Sequence, residues 1–270
     1  MKSKAISYPY VAWMALFVVA PIVMITVYAF TTADGSFTWA NFATMTQFAA
    51  AFGRSFLLAA IATVICFLIG YPLAYFLARE RGWLHRMATM LIMLPMWMNF
   101  LLRTYSWTFL LERHGLINRF FGMLGLGPFQ MIDTQGAIVL GMVYNFLPYM
   151  VLPIFSVIDK IDPKVIEAAQ DLGGNASVVF RRVTFPLSFP GVLSGITMVF
   201  IPSVSTFAIS GLLGGGKTLL LGNLIDMQFL GNAYNPHLGS AISLVMMVIV
   251  MVCMAVVNRF GDSEQQGVTL

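Results

Sequence analysis

Two stretches of this chain have residue types and spacing that could carry chemistry. In GLLGGGKT, Gly211, Gly216, Lys217 and Thr218 fill every fixed position of a phosphate-binding loop. In such a loop, backbone N–H groups cradle phosphates, the lysine offsets their charge and the hydroxyl holds magnesium. That chemistry needs a strand before the loop, a helix after it and access to nucleotide. Ser210 with His237 could instead supply a nucleophile and its base, provided the two meet within hydrogen-bond reach in a wet cavity.

The elements that would position these residues belong to a membrane protein. Hydrophobic residues make up 59% of the chain, charged residues only 10%, and mean hydropathy is +0.84. Soluble domains carry roughly 25% charged residues. Six apolar runs are long enough to cross a hydrocarbon core that needs roughly 20 residues per helix. They are Val11–Phe30, Phe56–Ala78, Met87–Leu111, Gly136–Val157, Pro190–Ile209 and Leu238–Val257. Residues 1–260 therefore read as one all-α, six-span domain in the lipid bilayer, and the polar residues 261–270 as a disordered tail. The first run is too long for a secretory signal core and reads as an uncleaved span.

Lys2, Lys4, Arg79, Arg81, Arg86, Lys160, Lys164, Arg181, Arg182 and Arg259 fall on one side of this topology. Only Arg54, Arg113, Arg119 and Lys217 fall on the other. Basic residues stay in the cytoplasm, so both termini are expected there. The net charge of +4 is scattered along short connections, which excludes a nucleic-acid groove. Cys66 and Cys253 sit inside apolar runs and read as packing residues.

This orientation puts GLLGGGKT outside, right after a spanning helix and away from nucleotide. It reads as a glycine-rich connection. The three histidines, His85, His114 and His237, all fall in connections, which weakens a hydrolase reading. All the Asp and Glu residues lie outside the six runs, which argues against a proton-driven carrier, whose mark is an intramembrane carboxylate. The moderately apolar stretches within Glu112–Gln135 and Gly211–His237 suit short interfacial helices.

The most informative segment is DPKVIEAAQDLGGNASVVFRRVTFPLSFPG, residues 162–191. Asp162 before Pro163 reads as a helix N-cap with proline at the first helical position. Val165, Ile166, Ala169 and Leu172 form an apolar stripe, and Gly173–Gly174 closes the helix. Asn175 caps a second short helix expected to end before Pro186. The product is a helix-turn-helix hairpin on the cytoplasmic face.

Glu167, Ala168, Ala169, Gly173, Val183, Phe185 and Pro186 resemble the EAA loop of permease subunits of binding-protein-dependent ABC importers, E-A-A-x3-G-x9-I-x-L-P. Val replaces Ile and Phe replaces Leu. The stretches 93–107 and 214–230 further resemble spermidine/putrescine permeases. The resemblance implies a type I importer permease fold in the bacterial inner membrane, with a coupling loop at 159–186. It implies four kinds of partner: a second permease subunit of different sequence, an ATPase dimer, an external substrate-binding protein and the lipid bilayer. ATP and magnesium would sit on the ATPase, so this chain would bind no cofactor or metal and catalyse nothing. Glu167, Ala168, Ala169, Gly173, Arg181 and Pro186 are the expected coupling residues. Because the loop is shared across such importers, an amino acid, a sugar or an inorganic anion stands as the alternative cargo.

Polar and aromatic residues in the runs are the candidates for the translocation path. In the third run, Asn99, Arg103 and Ser106 recur on one helical face beside Trp97, Phe100, Thr104 and Trp107. Trp97, Asn99, Thr104 and Trp107, with Tyr144, Asn145, Ser203, Ser205 and Thr206, make up the expected path. Arg103 is expected to snorkel or to pair with a carbonyl or carboxylate. Gly191 and Gly195 suit close helix contact, and Pro202 a bend in span five.

Overall fold

A computed structural model of the protein describes residues 4–80, 82–216 and 218–267. Its described residues are helical, apart from connections and one isolated bridge between Thr31 and Phe37. The first span is a composite. Helix α1 (Lys4–Met14) passes through a π-helical turn (Ala15–Val19) into α2 (Ala20–Ala29). The N–H of Ala20 bonds the carbonyl of Ala15, five residues back, just before Pro21. Proline cannot donate to the carbonyl four residues behind it, and the wider turn absorbs that lost bond.

Short α3 (Ala40–Met45) leads through a 3-10 turn into α4 (Ala49–Arg79), a 31-residue helix covering the second expected span. The third span departs from expectation. Instead of one helix over Met87–Leu111, the run divides into α5 (Trp83–Trp97) and α6 (Phe100–Leu111), and the stretches His85–Trp97 and Phe100–Met123 are bent by 94° at the elbow between them. The 15 and 12 residues of α5 and α6 reach about 22 and 18 Å, each short of a 30 Å core. Pro95 interrupts the last turn of α5, and Met98 and Asn99 are extended. The Asn99 side-chain oxygen then accepts from the N–H groups of Leu101 and Leu102, at 2.9 and 3.2 Å, and starts a new helix. The break therefore detaches Trp97, on α5, from the stripe of Phe100, Thr104 and Trp107 on α6, whereas Asn99 caps the helix that carries Arg103 and Ser106 and its carbonyl accepts from Arg103 N–H at 3.1 Å.

Helix α7 (Leu116–Met123) occupies the first connection read as interfacial, and α8 (Gln135–Ile158) forms the fourth span. Next come α9 (Pro163–Asp171), α10 (Ala176–Val179), a second π-helical turn (Phe180–Thr184) and α11 (Phe185–Ser205). The second limb of the hairpin was expected to stop before Pro186, yet Ala176–Ser205 is one 30-residue helical run. The reason repeats that at Pro21. Phe185 bonds Phe180 five residues back, and the π turn carries the helix past the proline. Short α12 (Ala208–Leu213) and α13 (Leu221–Phe229) fill the second connection. The last helix, α14 (Pro236–Gly267), runs through most of the stretch expected to be a disordered tail. A long apolar helix is already nucleated there, so each further residue adds a hydrogen bond at little cost, and Glu264, Gln265 and Gln266 are good helix formers. Residues 268–270 lie outside those described.

The core forms where α8 lies between α4 and α11, and it is filled by Leu58, Cys66, Met142, Met150, Val151, Ile154, Val192 and Val199. In lipid, close approach of backbones must replace the hydrophobic drive between helices. A Cβ on Gly191 would stand 2.8 Å from the Pro153 carbonyl oxygen, and one on Gly195 would stand 2.7 Å from the Met150 sulfur. These two glycines, one turn apart, set the α8–α11 distance. Gly191→Ala is expected to lower stability by about 3 kcal/mol through overpacking against backbone. Gly122→Ala, at a site with none of the described residues within 4 Å, should be nearly neutral. Thermal unfolding of the purified protein in detergent compares the two.

Candidate functional site

The hairpin between spans four and five is built from its caps. Asp162 Oδ1 accepts from the N–H of Lys164 at 3.0 Å, and Pro163 opens α9. At the far end, Gly174 N–H bonds the Ala169 carbonyl at 3.0 Å and Gly173 N–H bonds the Gln170 carbonyl at 2.8 Å, a Schellman closure. The two glycines serve different needs. Gly173 has φ of +84° with open space around it, so its requirement is purely conformational. A Cβ on Gly174 would stand 2.5 Å from the Ala169 carbonyl oxygen, so its requirement is steric. Asn175 then accepts from Val178 N–H at 3.0 Å and starts the second limb.

That limb is bound to α4 by an aromatic cluster. The Phe180 ring lies 5.8 Å from Tyr71 and 5.2 Å from Tyr75, and Phe185 lies 5.5 Å from Tyr71. The Tyr71 hydroxyl shares a 2.8 Å hydrogen bond with Ser188 Oγ, and the Arg79 guanidinium sits 4.3 Å from the Tyr75 ring centroid. The first limb stands clear of this cluster. Glu167, Ala168, Gln170 and Asp171 are exposed, and Leu172 at the tip is 90% exposed. The expected apolar stripe is therefore split, with Ile166 and Ala169 half-buried and Val165 and Leu172 facing outward. Arg181 is exposed in the π turn, and Pro186 is half-buried in the first turn of α11.

A cleft of about 610 Å³ opens beneath α9, lined by Tyr75, Arg79, Glu80, His85, Asp159 and Glu167 among others. His85 Nδ1 lies 3.1 Å from both the Leu77 and Glu80 carbonyl oxygens. Both partners are acceptors, so Nδ1 carries the proton and ties the α4–α5 turn together. Sequence reasoning missed Leu172 as a tip residue and Glu80, His85 and Asp159 as cleft residues. For Leu172 the available signal was its place directly before the glycine pair.

The path candidates fall into three groups. Thr104, Trp107, Tyr144 and Asn145 come together: Asn145 Nδ2 reaches Thr104 Oγ1 at 3.3 Å, and the Trp107 and Tyr144 rings meet edge to face at 5.3 Å. Trp97, 87% exposed, and Asn99 lie at the elbow. Ser203, Ser205 and Thr206 lie at the end of α11, where Ser203 and Ser205 donate to carbonyls of their own helix. Arg103 is buried and donates through Nη1 to the Pro95 carbonyl, the carbonyl pairing anticipated for it.

The two chemical constellations do not assemble. Helix α12, not a strand, leads into the glycine loop and takes up its first three residues, Gly211 to Leu213, and a Cβ on Gly215 would lie 2.1 Å from Asp133 Oδ1. A carboxylate thus sits where a nucleotide phosphate would need to approach. Ser210 is buried and 2.5 Å from Asn223 Oδ1, while His237 Nδ1 bonds the Tyr28 carbonyl and its ring stacks on Tyr28.

Residues 68–267 match the family described as the inner membrane component of binding-protein-dependent transport systems. The spermidine/putrescine transport permease PotB of Haemophilus influenzae is 34% identical over 258 residues, covering 92% of this chain and 90% of that protein. PotB of Escherichia coli is 35% identical over 249 residues, covering 88% and 90%. The molybdenum transport permease ModB of Mycobacterium bovis is 30% identical, with 71% of each chain covered. Among solved structures, a bacterial ABC transporter importing alginate superposes with a TM-score of 0.83 at 16% identity, covering 96% of this chain and 94% of that one. The methionine transporter MetNI gives 0.64 at 18% identity, covering 82% and 97%. The continuous hairpin-and-span helix, the multi-pass fold and these matches together establish that this chain belongs to the family of permease subunits of binding-protein-dependent ABC importers.

Proposed function

We propose that this chain forms half of the translocation path of an ATP-driven importer of polyamines, spermidine or putrescine, and takes its drive from an ATPase bound at the α9 hairpin. One observation carries the reading: the hairpin's second limb and span α11 are a single helical run from Ala176 to Ser205, while the first limb leaves Glu167 exposed at the cleft and turns Leu172 outward. Force applied at the tip moves a span directly. Glu167 offers a carboxylate for a charge-assisted bond to an Arg or Lys of the ATPase, and Leu172 an apolar contact. The side chains of Phe180, Phe185, Tyr71 and Tyr75 carry the same displacement to α4.

On this reading the hairpin and both termini are cytoplasmic, as the basic residues argue. ATP and magnesium are bound by the ATPase dimer. A second permease of different sequence completes the path, and an external binding protein delivers cargo to the opposite face. The cargo assignment draws on the PotB relatives, which align over far more of their length than the molybdenum permease does. Among the described residues the buried charge within the spans is a cation, Arg103, so selection for a cationic cargo falls to the binding protein.

Two measurements test this reading on the complex reconstituted from both permeases, the ATPase and the binding protein. Glu167→Lys should insert normally yet lose at least tenfold in binding-protein-stimulated ATP hydrolysis and in spermidine uptake; wild-type values for both would overturn the coupling role. At the turn, Gly173→Val forces a branched residue into the left-handed region at about 1–2 kcal/mol, roughly a tenfold loss of closed hairpin. Gly173→Asn tolerates that conformation, so its uptake should stay within about twofold of wild type.

A further inference from the structure

The α5–α6 elbow is closed by one residue of α6 reaching back: Arg103 Nη1 donates to the Pro95 carbonyl, which also accepts from Met98 N–H at 3.2 Å. A cation at the C-terminal end of α5 complements the exposed carbonyls there. The guanidinium carbon also lies 5.8 Å from the Tyr144 ring centroid, yet one of the group's donors stays unmet. Arg103 is only 6% exposed, the expected spans hold no carboxylate, and its Nε–H is buried with no partner among the described residues.

Across the α6–α8 boundary the opposite deficit occurs. Asn145 is 1% exposed and spends both Nδ2 hydrogens, one on Thr104 Oγ1 at 3.3 Å and one on the Gly141 carbonyl at 2.9 Å. Its Oδ1 is buried and accepts from none of the described residues. Donor and acceptor belong to adjoining positions. Thr104 directly follows Arg103, and the Arg103 guanidinium carbon lies 5.8 Å from the ring of Tyr144, the residue before Asn145. Consecutive residues of a helix point about 100° apart, so a partial rotation of α6 would turn Arg103 from Pro95 toward Asn145. Two extended residues, Met98 with ψ of 149° and Asn99 with ψ of 127°, form the joint about which α6 can turn. Buried polar groups seek partners, and here each unmet group is what the other lacks.

We propose that Arg103 is a positioning residue with two stations: it holds the elbow closed on the Pro95 carbonyl and passes to Asn145 Oδ1 when α6 rotates during transport. The proposal rests on the importer reading above. It gives the intramembrane arginine a task separate from cargo contact.

The test uses the complete complex in liposomes, with radiolabelled spermidine as probe. Asn145→Asp places a carboxylate at the second station and should hold the guanidinium there. Maximal uptake is expected to fall at least tenfold, the half-saturating concentration of binding protein to stay within about twofold, and the melting temperature not to drop. Should the aspartate variant fail to fold, Asn145→Leu removes the second station and should show the same loss of maximal uptake. Wild-type uptake in either folded variant would overturn the latch, as would a fall in melting temperature parallel to the fall in uptake in both, which marks a fixed structural brace. Absence of uptake by the wild-type complex would instead overturn the importer reading, and the latch with it.

Discussion

The closeness of α8 and α11 is the constraint on which the rest depends. Two helices in lipid gain nothing from hiding apolar side chains from each other, so their association rests on contact between backbones and on satisfied polar groups. Gly191 against the Pro153 carbonyl and Gly195 against Met150 allow that contact over one turn. Once α11 is fixed on α8, the hairpin that grows out of its N-terminal end has a fixed place too. The aromatic cluster of Tyr71, Tyr75, Phe180 and Phe185 joins α4 to the same unit. Three spans and a lever thereby become one mechanical body.

Prolines shape the helices with two opposite outcomes. Pro21 and Pro186 each lie just past a π turn in which one N–H reaches five residues back, and in each case the helix survives. Pro95 has the opposite outcome because the two residues beyond Trp97 are extended and Asn99 recaps the chain. The difference lies in the residues C-terminal to the proline. An extended Met98 followed by a capping Asn99 offers the backbone a better alternative than a widened helix, and the bilayer tolerates it because Arg103 and Asn99 supply the lost partners.

Much of the hairpin was legible in the sequence because its signals are local. Asp162-Pro163, Gly173-Gly174 and Asn175 act through hydrogen bonds within four or five residues, and each cap forms as the spacing dictates. Five of the six expected spans were likewise legible from apolar length alone. What the sequence concealed depends on distant partners or on competition between local options. The split of the Val165–Leu172 stripe follows from how α9 sits over the α4–α5 turn, which no periodicity encodes. The elbow in the third span is marked in the sequence by Pro95 and Asn99, but its apolar length is that of one span, and Pro72, Pro148 and Pro153 lie inside helices that continue, so a proline alone does not announce a break. The tertiary placement of Asp133 against Gly215 is what separates GLLGGGKT from a nucleotide loop, and the two residues are far apart in the chain.

The central claim is that the hairpin limb and α11 move as one rigid rod when the ATPase closes. Spin labels at the exposed residues Ala176 and Met198 span this rod, and a label at exposed Met251 on α14 reports its motion against a neighbour. In the reconstituted complex, pulsed dipolar distances should show the 176–198 separation unchanged between nucleotide-free and ATP-bound states while the 198–251 separation shifts by several ångströms. A changing 176–198 distance beside a constant 198–251 distance would mean that the hairpin flexes at the π turn and leaves the span still, which would contradict the account.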